Sequence, residues 1–146
     1  MCKNVEKRIR DEAKREGFAP EHLWISFRVT QLYETGAAIY VYLCLNYRTM
    51  GKSYDDLVET YERIEDAARD EVFLCGGCIS HHHGVGKIRK RFMERTLRPM
   101  AIEWQKKIKE NVDPTNIFGV NNTIIRSEEE AKLVFKNPIL PPVDQK

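Results

Sequence analysis

The sequence lacks any apolar run long enough to cross a bilayer. Its longest is residues 37–45, AAIYVYLCL, far short of the ~20 residues of a membrane helix. It also lacks an apolar leader. MCKNVEKRIRDE is charged from the third residue, which predicts that no signal peptide is present. With no secretory route implied, the four cysteines are expected as reduced thiols, not disulfides. A surplus of one charge sign is missing too. Lys and Arg total 24 against 22 Asp and Glu, a formal +2, too little to imply nucleic acid or a membrane surface as partner. No internal repeat and no low-complexity tract interrupts the chain. What is there is the makeup of an ordinary globular domain: 146 residues, 42% hydrophobic and 32% charged, enough to bury one core. Charge is uneven only locally. Residues 86–98 carry six Lys/Arg against one Glu, and residues 55–71 carry eight Asp/Glu against two Arg. That pattern fits two solvated helix faces or an anion site.

Val5, Ile9 and Ala13 recur at four-residue spacing between charges, which predicts an amphipathic helix over 3–16 stopped by Gly17. Residues 24–32 and 37–47 are rich in β-branched and aromatic residues, with Tyr33-Glu34-Thr35-Gly36 between them. They read as a β-hairpin. On its second strand Ile39, Val41, Leu43 and Leu45 share one face and should pack on helices. Tyr40, Tyr42, Cys44 and Asn46 share the other, which is free to line a cavity. Ser53 with Asp56 three residues on is an N-cap signal. The apolar series Leu57, Tyr61, Ile64, Ala68, Val72 carries that helix to Cys75, where Gly76-Gly77 ends it. Residues 78–83 are expected as a short strand. Residues 87–111 read as a second long helix that Pro99 kinks or breaks, closed by Asp113-Pro114. Ser127-Glu-Glu-Glu begins a short helix, and the proline-rich NPILPPVDQK is expected to be loose. The order helix, strand, strand, helix, strand, helix is that of an α+β domain, an antiparallel sheet covered by helices.

The stretch that carries chemistry is GGCISHHHGVGKIRKR, residues 76–91. Cys75-x-x-Cys78 beside His81 permits zinc. Against it, an extended 78–83 would turn His81 and His83 to one side and His82 to the other, and no second ligand pair follows. A redox role for the same cysteines lacks the surrounding βαβ pattern. GVGK resembles the end of a phosphate loop, but the glycine five residues before Gly86 is missing and Ile88 follows Lys87. An anion site survives that failure. Gly84 and Gly86 let backbone approach a ligand, Lys87 and Arg89 add charge, and a helix N-terminus is expected to follow. Acid–base chemistry is the third reading, since imidazoles titrate near neutrality and a tyrosine can complete a relay. One aromatic, Phe92, in the basic run carries no nucleic-acid signature.

Taken with KNVEKRIRDEAKREG, FRVTQLYETGAAIYVYLCLNYR, YERIEDAARDEV and VDPTNIFGVNN, the histidine stretch resembles the alkyldihydroxyacetonephosphate synthase family, over roughly residues 3–122. The wider vanillyl-alcohol-oxidase type of flavoprotein shares a looser His-Gly-x-Gly and an Asp-Pro-x-x-x-Phe. The resemblance implies a cap-like, C-terminal substrate domain over 1–126 with a tail over 127–146. It implies exchange of the acyl chain of acyl-dihydroxyacetonephosphate for a fatty alcohol, in peroxisomes, with FAD taking part without net redox change. His81, His82 and His83 would assist proton transfer at the carbon beside the ketone, and Tyr40 would sit near the same centre. Gly84, Gly86, Lys87 and Arg89 would hold the substrate phosphate. Asp113, Asn116 and Phe118 would lie toward the flavin. The sequence departs from the family in three ways. It has no Gly-rich dinucleotide fingerprint, it lacks the flavin domain and the upstream arginines that the family uses, and PVDQK is not a peroxisomal Ser-Lys-Leu address. The chain alone is therefore expected to hold FAD weakly, and to be either a silent fragment with an interaction role or the partner of a flavin-binding subunit or full-length synthase.

Overall fold

The computed structural model describes residues 1–48, 50–119 and 122–123. It divides into two compact units, Met1–Gly77 and Cys78–Lys146. The first unit begins with helix α1 (Cys2–Arg15), whose Val5, Ile9 and Ala13 are buried as their spacing predicts. Gly17 adopts φ +90°, while the Phe18 amide donates to the Ala13 carbonyl at 2.9 Å and the Gly17 amide to Lys14 at 3.1 Å. This is a Schellman ending, and a left-handed glycine makes it possible. Its apolar contact is supplied by Phe18, which is buried.

Strands β1 (Leu23–Tyr33) and β2 (Gly36–Leu45) pair antiparallel around Glu34-Thr35. Register sets the two faces. Leu23 lies opposite Leu45 and Ile25 opposite Leu43, and these four join Phe27 against Val5, Ile9, Phe18 and Ile64. Trp24 opposite Cys44, Ser26 opposite Tyr42 and Arg28 opposite Tyr40 form the other face. The expected packing of the aliphatic face holds for Leu43 and Leu45 but not for Val41, which is exposed toward the turn end of the hairpin. A bulge between Val29 and Gln31 shifts the register, and the Thr30 hydroxyl donates to the Ala38 carbonyl at 3.2 Å beside it.

Helix α2 (Tyr54–Leu74) starts where the cap signal stands: the Asp56 amide donates to Ser53 Oγ at 3.2 Å. Ile64 is buried and Leu57, Ala68 and Val72 pack on the core. Tyr61 instead stays exposed, its hydroxyl donating to the Leu43 carbonyl at 3.5 Å. At the far end a side chain on Gly77 would fall 2.5 Å from Val72 Cγ1 and 2.9 Å from the Val72 carbonyl, so only glycine fits. One polar cluster ties α1 to α2. Arg63 Nε and Nη2 donate to the Glu16 carboxylate at 2.7 and 2.9 Å. Lys52 donates to the Glu16 carbonyl and to the buried Thr60 hydroxyl.

In the second unit two expectations are corrected. Residues 78–83 form bends and irregular backbone, not a strand, so the sheet has two strands among the described residues. Glycine-flanked and with no neighbouring edge paired to it, the segment has no ladder to join. The single helix expected over 87–111 is three pieces: a 3₁₀ turn at Lys90–Phe92, one turn of helix α3 (Met93–Thr96), and α4 (Pro99–Val112). Proline excludes its predecessor from helical geometry, and Arg98 is accordingly extended at φ −66°, ψ 148°, leaving Pro99 to open α4 at its favoured first position. The α+β class stands, with helices over one face of an antiparallel hairpin. No helix among the described residues is long and apolar enough to cross a membrane. The helix and tail expected over 127–146 lie outside the described residues.

Candidate functional site

The three imidazoles stand together. With 78–83 bent, not extended, consecutive rings touch: His81 and His82 lie 5.0 Å apart at 79°, His82 and His83 4.1 Å apart at 69°. The alternation argued from an extended strand does not occur. His81 Nδ1 and His82 Nδ1 are 2.8 Å apart, which requires one proton between them. The ring that donates it has a bare Nε2, an acceptor; the ring that accepts it carries its own proton on Nε2, a donor. One coupled pair therefore offers a base and an acid side by side. Charging both rings would set two N–H groups against each other. The His82 pKa is accordingly pushed below the ordinary imidazole value, by desolvation first and then by His83 and His81, so the neutral base form is the one favoured near neutrality.

Gly84 and Gly86 both have positive φ, 71° and 58°, and a side chain at either would meet open space. The loop is closed by Arg89 Nη1 donating to the Gly84 carbonyl at 3.4 Å and by the Thr123 amide donating to Gly86 at 3.0 Å. Lys87 is exposed. The helix N-terminus expected behind these glycines is absent: a turn follows, and the first full helix opens only at Pro99. Any anion here would be held by Lys87, Arg89 and backbone, without a helix dipole.

Tyr40 lies in the first unit, mid-strand in β2, half-buried, with Arg28 as its cross-strand partner and the Tyr42 ring 5.9 Å away. The Arg28 position was not singled out from sequence, although aligning the hairpin about Glu34-Thr35 would have found it. Asp113 is buried and its carboxylate is engaged internally. It pairs with Lys109 and accepts the Ile117 and Phe118 amides, each at 2.9 Å. Lys109, above all, holds its pKa down to about 2. Asn116 turns the chain at φ 55°, while Phe118 is exposed. Asp113 is thus the keystone of a tight turn that presents Ile117 and Phe118 outward. The Cys75 thiol lies 3.6 Å from both Asn4 Nδ2 and Glu71 Oε1. No group of three His, Cys, Asp or Glu is placed to hold a metal among the described residues.

A cleft of about 370 Å³ opens between His22, Trp24, Tyr47 and Arg48 at the open end of the hairpin. Neither Tyr40 nor the imidazoles line it.

Residues 1–121 match the family described as FAD linked oxidases, C-terminal domain. The chain belongs to that family. It is 46% identical over 124 residues to the alkyldihydroxyacetonephosphate synthase of Caenorhabditis elegans, covering 85% of this chain and 20% of the relative. It is 27% identical over 107 residues to the synthase of the same name from Dictyostelium discoideum, covering 73% of this chain and 17% of that one. It thus spans about a fifth of the length of these relatives, and the resemblance read from HHHGVGK and its companions is borne out. FAD is the cofactor of the family. The described residues do not fit it as a cradle: the sheet is an antiparallel pair, and no strand–glycine turn–helix unit is present among them to receive a pyrophosphate.

Proposed function

We propose that this chain supplies the acid–base portion of an alkyl transferase of ether-lipid synthesis, one that exchanges the acyl chain of acyl-dihydroxyacetonephosphate for a long-chain fatty alcohol. The coupled His81–His82 pair carries the reading, in a chain similar to enzymes named for making alkyldihydroxyacetonephosphate. The exchange is redox-neutral. An ester C–O bond breaks and a carboxylate leaves; an ether C–O bond forms and the alcohol gives up its proton. Hydrogen at the carbon beside the ketone must also be taken and returned. A bare Nε2 and a neighbouring Nε2–H suit those two tasks, with His83 packed on His82 to disfavour its charged form. Lys87 and Arg89 serve the substrate phosphate. Tyr40 is assigned a relay role on resemblance, and peroxisomal residence rests on the same footing. A catalytically silent interaction protein is the second reading, favoured by the misfit to a dinucleotide cradle.

The test is a chimera in which this chain replaces the matched segment of the C. elegans synthase. His82→Ala should cut turnover ~10²-fold or more, the usual worth of a positioned acid–base group, and Tyr40→Phe should do likewise. An active chimera with unchanged rates in both variants refutes the assignment. A chimera that binds flavin but never turns over favours the silent reading.

A further inference from the structure

The cleft at the open end of the hairpin has walls fixed by backbone bonds. The chain enters β1 through a 3₁₀ turn, Pro20–His22, and leaves β2 through a second turn. The Asn46 amide donates to the His22 carbonyl at 2.8 Å and ties the two together. Asn46 Oδ1 accepts the Arg48 amide at 3.3 Å, and the Met50 amide donates to the Tyr47 carbonyl at 3.0 Å. Trp24 and Cys44 pair across the strands beside these turns. The resulting volume, about 370 Å³, falls at the small end of the ~300–1,000 Å³ of ligand sites. None of its residues belongs to the histidine segment or to the glycine loop behind it.

Two large aromatics line the cleft and stay in water, Trp24 at 56% and Tyr47 at 55% exposed. Charges of both signs, Glu21 and Arg48, line it with them. Among the described residues no ion pair joins Glu21 to Arg48, and neither charge is taken by another side chain. We propose that the cleft binds a zwitterion that joins a quaternary ammonium to a phosphate, the chemistry of phosphocholine. A quaternary ammonium has no N–H to donate. It needs a ring face and a nearby carboxylate, which Trp24, Tyr47 and Glu21 supply. A phosphate matches the planar fork of Arg48. A bare anion would meet the Glu21 carboxylate, and a bare cation would meet Arg48. A nucleobase would look for backbone donors at its edge, but the Asn46 and Arg48 amides are already engaged. Binding here is independent of the reaction proposed above.

Calorimetric titration of the 146-residue chain with phosphocholine tests the site. Binding should saturate at one ligand per chain. Arg48→Gln should weaken it at least ~10-fold, the worth of a charge-assisted hydrogen bond, and Trp24→Leu and Glu21→Gln ~3–10-fold each. Choline alone should bind more weakly and ignore Arg48→Gln; inorganic phosphate should ignore Trp24→Leu. In the unaltered chain, amide shifts on adding phosphocholine should centre on residues 21–24 and 44–48, a readout that needs no variant. Unsaturable binding, equal affinity for inorganic phosphate and phosphocholine, an unchanged affinity in Trp24→Leu, or shifts confined to other residues each overturn the proposal. Dioleoylphosphatidylcholine vesicles distinguish the source. Co-sedimentation that Arg48→Gln abolishes assigns the site to a lipid headgroup, and binding of free phosphocholine alone assigns it to a soluble phosphate ester.

Discussion

Replacing Glu16 by alanine tests how the first unit is held together. Its carboxylate receives two guanidinium N–H groups of Arg63, at 2.7 and 2.9 Å, with Lys52 Nζ 3.6 Å away. The side chain is 17% exposed against 33% for Arg63. Each charge-assisted bond in such a setting contributes ~1.5–3 kcal/mol, and water reaching the freed Arg63 returns part of that. We expect a net loss of about 2 kcal/mol, or ~4–8 °C in Tm at the ~2–4 °C per kcal/mol of a chain near this size. A thermal scan at 222 nm measures it. Adding Arg63→Met should recover part of the loss, because it removes the charge left without its partner. The pH dependence has a definite sign. Arg63 lowers the folded-state pKa of Glu16 below its ordinary value, so the stabilisation is present above the unfolded pKa of ~4.3 and is lost as pH falls through the folded one. A fall in Tm under ~3 °C, or a Glu16→Ala deficit that persists undiminished at the acid end, would refute the clamp.

Gly77→Ala should cost ~1–3 kcal/mol through overpacking against Val72, read as a lower denaturant midpoint; an unchanged midpoint contradicts the contact. Asp113→Ala should speed hydrogen exchange at the Ile117 and Phe118 amides ~10-fold, the worth of one ordinary hydrogen bond. Since Lys109 and the two amides hold the Asp113 pKa at about 2, the wild-type turn should keep both amides protected at pH 4 and release them only as pH falls toward 2. In the chimera, kcat/KM should decline on the acid side with a limb below the ordinary imidazole value of ~6.5, because the base form of His82 is favoured by its surroundings. A limb at or above 6.5 contradicts the coupled pair.

Where a residue's neighbours in sequence set its structure, the sequence was legible. Val5, Ile9 and Ala13 announce α1, Ser53 announces the start of α2, and β-branched runs about Glu34-Thr35 announce a hairpin whose register then follows from period two. The histidine segment failed because a strand needs a partner to pair with, and the residues around 78–83 supply none. The long second helix failed at Arg98, where proline's steric demand on its predecessor outweighed a good apolar rhythm. Of the candidate site, the identity of the imidazoles was legible but not their contact, since ring-to-ring approach depends on the bend. Asp113 was read as facing a cofactor, yet its partners Lys109, Ile117 and Phe118 absorb its carboxylate. The i, i+4 spacing of that lysine was in plain view.

The row Met100, Trp104, Ile108 shows why apolar periodicity identifies a buried face without identifying what buries it. The same rhythm puts Val5, Ile9 and Ala13 against the hairpin and α2, and it leaves the α4 row in water. Nothing in the spacing distinguishes the two cases. The distinction lies in the residues between. Those of α1 are paired charges content with solvent, Lys7 with Asp11 and Arg10 with Glu6. Those on the inner side of α4 mix apolar Ala101 and Ile102 with Gln105, Lys106 and Lys109, and Lys109 is committed to Asp113 and the Phe118 carbonyl. The outward side chains of α4 contribute their hydrophobic free energy only when another surface removes them from water.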